Sequence, residues 1–197
     1  MGKHRIFISH CENNLEPTDY AIRIIDLIGC VPVIVEKEPK RSRPVSSLVN
    51  DTLESCDAAI VIATPDLDGS SGKVPSQGVL VEIGILQSLP QFKNKYVIIK
   101  ENSVVLSPMI SEAHYKFEMG NYGPIAEAIL LELGSMSLFR NYYELPGSDL
   151  QIHELMDTLP QLRDLKNKGV FTIEQYKDKI NNLIQGFVEQ FLTMEVY

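Results

Sequence analysis

Asp57-Ala-Ala-Ile-Val-Ile-Ala-Thr-Pro-Asp66 decides how this chain folds. Ala58 to Ala63 is an unbroken apolar run of strand length, bounded by Asp57 and by Thr64-Pro65-Asp66. Continuous hydrophobicity, without in–out alternation, is what a parallel strand covered on both faces requires. Working outward, Arg5-Ile-Phe-Ile-Ser9, Val31-Pro-Val-Ile-Val35 and Tyr96-Val-Ile-Ile-Lys100 read as further buried strands. Helix-periodic segments lie between them. One runs from about Pro17 to Ile28, apolar at Ile22, Ile25 and Leu27, with Gly29 as its stop. Val45 to Cys56 is a second, Ser76 to Pro90 a third, and Pro124 to Leu133 a fourth, opened by proline and closed by Gly134. Strands alternating with helices predict an α/β fold, a flavodoxin-like parallel sheet with helices on both faces. Leu67 to Ser76, rich in Gly, Ser and Pro, reads as a mobile loop. Asn102 to Gly123 is ambiguous, with a candidate short strand at Tyr115-Lys-Phe-Glu118.

Past residue 139 the character changes. Residues 140–151 read as a linker, and 152–197 as a small C-terminal helical hairpin. Its first helix, Leu159 to Gly169, carries Leu162 and Leu165. Thr172 and Gln175 then form a capping box, with Phe171 and Tyr176 at the positions of a hydrophobic staple. The second helix continues through Ile180, Leu183, Ile184 and Phe187. A hairpin this small buries little surface alone, so it is expected to dock on the main domain or on another chain.

Composition narrows the function. A formal net charge of −8 and a pI near 5.0 oppose sequence-independent nucleic-acid binding. No run approaches the ~20 apolar residues of a transmembrane helix, and Met-Gly-Lys-His-Arg lacks both an apolar signal region and a myristoylation motif. A cytosolic protein without membrane or nucleic-acid partners is expected. Cys11, Cys30 and Cys56 are widely spaced and lack zinc-site spacing. Cys30 and Cys56 read as core residues at the ends of elements.

Ligands of open parallel sheets bind at the carboxyl ends of the strands. Ser9-His10, the charged loop Glu36 to Pro44, and Thr64-Pro65-Asp66 all lie there, and the Ser76–Pro90 helix starts shortly after. Within that helix Glu82 is the only ionisable residue, placed beside Leu86 and Leu89 on the inward side. A lone carboxylate next to an apolar stripe is either paired or used, or else is held near the helix N-terminus by the dipole.

Three blocks then become familiar together: Ile6-Phe-Ile-Ser-His10, Val45 through Asp66, and Gln77-Gly-Val-Leu-Val-Glu-Ile-Gly84. In order and spacing they resemble the prokaryotic TIR-like family of nucleotide-binding proteins, the branch of the TIR fold found in bacterial defence effectors. The resemblance covers roughly Arg5 to Phe139. Leu162 through Ile184 resembles a SHOCT-type short C-terminal module, a kind often associated with oligomerisation. What the first resemblance implies is cleavage of NAD+ at the nicotinamide–ribose bond, by hydrolysis or by forming a cyclic ADP-ribose isomer. NAD+ is then the substrate, and no cofactor or metal is expected. The family's glutamate falls on Glu82, and Ser9 and His10 match its opening block. This chain has Gly78 where many relatives have Asn.

That chemistry fits the residue types. Loss of neutral nicotinamide develops oxocarbenium character on ribose, which a single carboxylate can stabilise. Glu82 is the candidate catalytic residue, as nucleophile, electrostatic partner or base. Ser9 and His10 are candidates for ribose or phosphate contact, although His10 equally suits a structural histidine at a strand end. Lys40, Arg41 and Arg43 form the only dense basic cluster and suit a diphosphate, or else a solvated loop. Asp66 is a further substrate-binding candidate, or a turn residue. Cys11 beside His10 invites a thiol-nucleophile reading, but adjacency in sequence is not adjacency in space. The family also implies self-association and a downstream effector protein that senses the nucleotide product. Two alternatives stand beside this reading: a non-enzymatic TIR adaptor or nucleotide sensor, and a nucleoside deoxyribosyltransferase-like enzyme.

Overall fold

β3 (Ala58–Ala63) lies at the centre of a five-stranded parallel sheet in the computed structural model, and all six of its residues are buried. The structure describes residues 3–35, 45–69, 72–108, 110, 114–138, 158–159 and 161–194. The sheet order is β2-β1-β3-β6-β7, with β1 at Arg5–His10, β2 at Val31–Val33, β6 at Tyr96–Glu101 and β7 at His114–Phe117. Every pairing is parallel. His10 stands opposite Ile62 and Ala63 opposite Lys100, so the strands end nearly level and present one rim to ligand.

Because side chains alternate along each strand, the sheet divides the core in two. On one face Ile6, Ile8, Ile60, Ile62 and Ile99 pack with Ile24 and Ile25 of α1 (Glu16–Leu27) and with Ile129 and Leu133 of α4 (Gly123–Ser135). On the other, Phe7, Val61 and Ile98 meet Val49 and Leu53 of α2 (Val45–Leu53) and Val79, Ile83 and Leu86 of α3 (Gln77–Ser88). Each such side chain contributes about 1.5–3 kcal/mol on burial, which makes this two-faced filling the principal stabilisation of the sheet. α1 stops where expected: Gly29 takes φ 76°, and Cys30 N–H reaches back to the Ile25 carbonyl at 3.1 Å.

The structure corrects the sequence in two places. Leu67 to Ser76 carries an antiparallel pair, β4 (Leu67–Gly69) and β5 (Gly72–Val74), where a mobile loop was expected. Asp66 N–H on the Val74 carbonyl at 3.0 Å extends the pair's own ladder, and Val105 N–H on the Lys73 carbonyl at 2.8 Å straps it to the segment after β6. α4 also runs through Gly134 to Ser135. Its left-handed closing residue is Ser137 (φ 56°), with Leu138 N–H on the Leu133 carbonyl at 3.1 Å and the Leu138 side chain buried.

The linker 140–151 lies outside the described residues. Beyond it, α5 (161–167) and α6 (Ile173–Met194) form the helical pair. The capping box is present in both directions: Thr172 N–H donates to Gln175 Oε1 at 3.0 Å, and Gln175 N–H to Thr172 Oγ1 at 3.1 Å. Tyr176, Ile180 and Ile184 are buried at four-residue spacing and join the α1/α4 cluster, so α6 docks on the main body along α4.

Candidate functional site

α3 is positioned from its first residue. Ser76 caps it, with Oγ accepting Val79 N–H at 3.3 Å. Cys11, at the end of β1, accepts Ser76 N–H on Sγ at 3.4 Å and donates its thiol to the Thr64 carbonyl at 3.2 Å. One buried thiol thereby ties together the end of β1, the end of β3 and the start of α3. Cys11 is 1% exposed, a structural thiol rather than an accessible nucleophile.

Around this junction lies a cavity of about 750 Å3. His10, Glu12 and Asn13 line it from the end of β1, and Ile34 and Val35 from the end of β2. Ser46 and Val49 come from α2, Asp66 from the end of β3, and Ser76, Gln77, Gly78, Val81 and Glu82 from the start of α3. Gly78, Val81 and Glu82 stand three and four residues apart and share one helix face, which is why all of them reach the wall. Val79, Ile83 and Leu86 turn the other way into the core. Glu82 is half-buried on the cavity side of that boundary.

His10, Asp66 and Glu82 are therefore brought together around one cavity, as read from the sequence. Ser9 is not among its lining residues. Strand alternation sends its side chain to the opposite face from His10, where it is 1% exposed. Lys40, Arg41 and Arg43 lie outside the described residues. The sequence reading missed Glu12, Asn13, Ser46 and Gln77. Asn13 was findable as a polar residue at a strand's carboxyl end; its side-chain amide donates to the Asp66 carboxylate, and Asn14 Nδ2 reaches the Pro65 carbonyl at 3.5 Å. Among the described lining residues, Glu12, Asp66 and Glu82 supply carboxylates and His10 an imidazole, and Ile8, Ile34, Val35 and Val49 supply apolar surface. Such a cavity suits a ligand with a flat apolar part and hydroxyl groups.

Residues 5–110, more than half of the chain, match the family described as CAP12/Pycsar effector protein, TIR domain. The chain belongs to that family. As a TIR-domain effector of antiviral defence, it holds Glu82, His10 and Asp66 within the matched segment, whereas β7, α4, α5 and α6 lie beyond it. Among solved structures, a diflavin flavoprotein A3 from Nostoc sp. is similar at 14% identity, over 69% of this chain and 94% of that one, with a TM-score of 0.43. No curated protein sequence matches the chain. Among the described residues, no helix is long and apolar enough to cross a membrane.

Proposed function

We propose that this TIR effector cleaves NAD+ at the nicotinamide–ribose bond, as a glycohydrolase or as a cyclase that makes a cyclic ADP-ribose isomer. The observation that carries the reading is Glu82 on the wall of the cavity at the strands' carboxyl ends, with His10 and Asp66 around it. The apolar wall suits the nicotinamide ring and the polar residues suit the ribose hydroxyls. As the C–N bond lengthens, positive charge grows on the ribose, and the Glu82 carboxylate stabilises it. Nicotinamide departs neutral, so no general acid is required. Water at the anomeric carbon gives hydrolysis, and a ring nitrogen or ribose hydroxyl of the same molecule gives a cyclic product. Lys40, Arg41 and Arg43 are proposed to hold the diphosphate. Self-association, through a SHOCT-like tail, and a downstream effector that senses the product belong to the same proposal.

The test is NAD+ turnover by concentrated protein, with products separated by chromatography and mass spectrometry, beside Glu82→Gln. Nicotinamide release is expected from the wild type, reduced at least ~100-fold in the variant. Equal release from both rejects Glu82 as the catalytic residue. No release from either, in an oligomer confirmed by light scattering, rejects the enzyme.

A further inference from the structure

α3 carries two glycines within its span, Gly78 and Gly84, and both are exposed. Neither has a positive φ, so neither is there for conformational freedom. Packing does not call for them either. A Cβ on Gly78 would lie 3.7 Å from Ser76 Oγ, an ordinary van der Waals contact. One on Gly84 would meet nothing within 4 Å beyond its own helix, among the described residues. Glycine in a helix is unfavourable relative to alanine, because it loses more chain entropy on folding. The fold therefore gains nothing from either residue.

The two differ in what lies in front of them. Gly78 lines the Glu82 cavity and Gly84 does not. Gly78 stands about one turn before Glu82 on the same helix face, some 5–6 Å away. Helical side chains lean toward the helix N-terminus, so Glu82 leans back over the turn that Gly78 begins. Val81, beside it on the cavity wall, is 53% exposed. A side chain at position 78 would stand in the space through which a ligand approaches the carboxylate. With glycine there, that approach is floored by helix backbone alone.

We propose that Gly78 is a specificity-determining residue, whose missing side chain lets the sugar of an N-glycoside lie against the first turn of α3 within reach of Glu82. The inference rests on the NAD+ reading of this cavity and adds a steric determinant to it. Position 78 sets how much of the ligand fits beside the carboxylate, and helix stability is given up for that room.

The test compares Gly78→Ala and Gly78→Leu with Gly84→Ala, a control in the same helix. KM for NAD+ is taken from nicotinamide release. Kd for NAD+ is taken by calorimetry with each substitution placed in a Glu82→Gln chain, where the ligand stays intact. Both alanine variants are expected to gain about 1–4 °C in Tm, and Gly78→Leu to melt no lower than wild type. Gly78→Ala is expected to raise KM and Kd about 5-fold and Gly78→Leu at least ~30-fold, while Gly84→Ala leaves both unchanged. Equal KM and Kd in wild type and Gly78→Leu overturn the proposal and leave the NAD+ reading standing. So does a fall in Tm for Gly78→Ala, which would make the glycine a requirement of the fold. Absence of nicotinamide release from the wild type overturns the enzyme reading, and the Kd series then decides Gly78 by itself. Absence of NAD+ binding at about 10 mM as well overturns both.

Discussion

Gly123, the first residue of α4, and Asn181 of α6 approach so closely that a Cβ on Gly123 would lie 1.9 Å from Asn181 Oδ1 and 3.1 Å from Asn181 Cγ. The missing side chain is what lets the tail helix lie against the start of α4. Gly123→Ala requires the Asn181 amide, the flexible end of a half-buried side chain, to rotate away, and is expected to cost less than about 1 kcal/mol in urea denaturation. Adding Asn181→Ala should recover most of that loss, a non-additivity that only neighbours show. A loss above about 2 kcal/mol that Asn181→Ala fails to recover would show that α6 itself must lift.

Phenol ionisation is expected to set the alkaline limit of stability. Burial, then the hydrogen bond to Glu132, pushes the Tyr115 hydroxyl up to about 12, and burial alone pushes Tyr20 up to about 12. Burial and Glu127 raise Tyr176 as well. These folded values lie above the unfolded value of about 10, so the neutral phenols' contribution is complete below pH ~10 and is lost as pH rises through ~12. Tm should stay level up to about pH 9.5 and fall beyond it. Tyr115→Phe with Tyr176→Phe should flatten the decline. An equally steep decline in both proteins would contradict the assignment.

The cysteines should be poor nucleophiles in the native state. Burial first, then Asp57, pushes the Cys30 thiol up to about 11, and burial raises Cys56, whose Sγ donates to the Thr52 carbonyl at 3.3 Å. Cys11 is sealed by its two hydrogen bonds. With a disulfide reagent at pH ~8, native labelling should run at least ~100-fold slower than in denaturant, and Cys56, the least buried, should react first. Rapid labelling of Cys11 would show that the β1–α3 junction opens.

Asp66 is held by Asn13, so the two should behave as one unit in substrate binding. For the proposed NAD+ cleavage, Asn13→Ala and Asp66→Asn are each expected to raise KM about 5–10-fold, with a smaller effect on kcat than Glu82→Gln. The double variant should be little worse than either single one. Unchanged KM in both would remove Asp66 from substrate contact and leave it as a turn residue.

What the sequence disclosed follows from where each signal resides. β3 was legible because a strand buried on both faces must be apolar at every position. The Thr172–Gln175 box was legible because both partners lie within four residues. The β4–β5 pair was not, because the bond that straps it joins Lys73 to Val105 across α3 and β6. Ser9 and His10 show the limit at the site. The strand end was found, but which neighbour lines the cavity depends on how the strand ends sit under it, and there it is Ile8 and His10 rather than Ser9.

α6 is 22 residues long, about 33 Å at 1.5 Å per residue. It passes Glu127 at Tyr176, Gly123 at Asn181, and the Tyr20–Tyr122 region at Ile184. Its path therefore runs toward the edge of the sheet where α4 begins and the strands end. The remaining stretch, Gln185–Met194, travels on in that direction for roughly another 15 Å. The described end of α6 and the mouth of the Glu82 cavity thus lie toward the same rim of the sheet, the one where the parallel strands end.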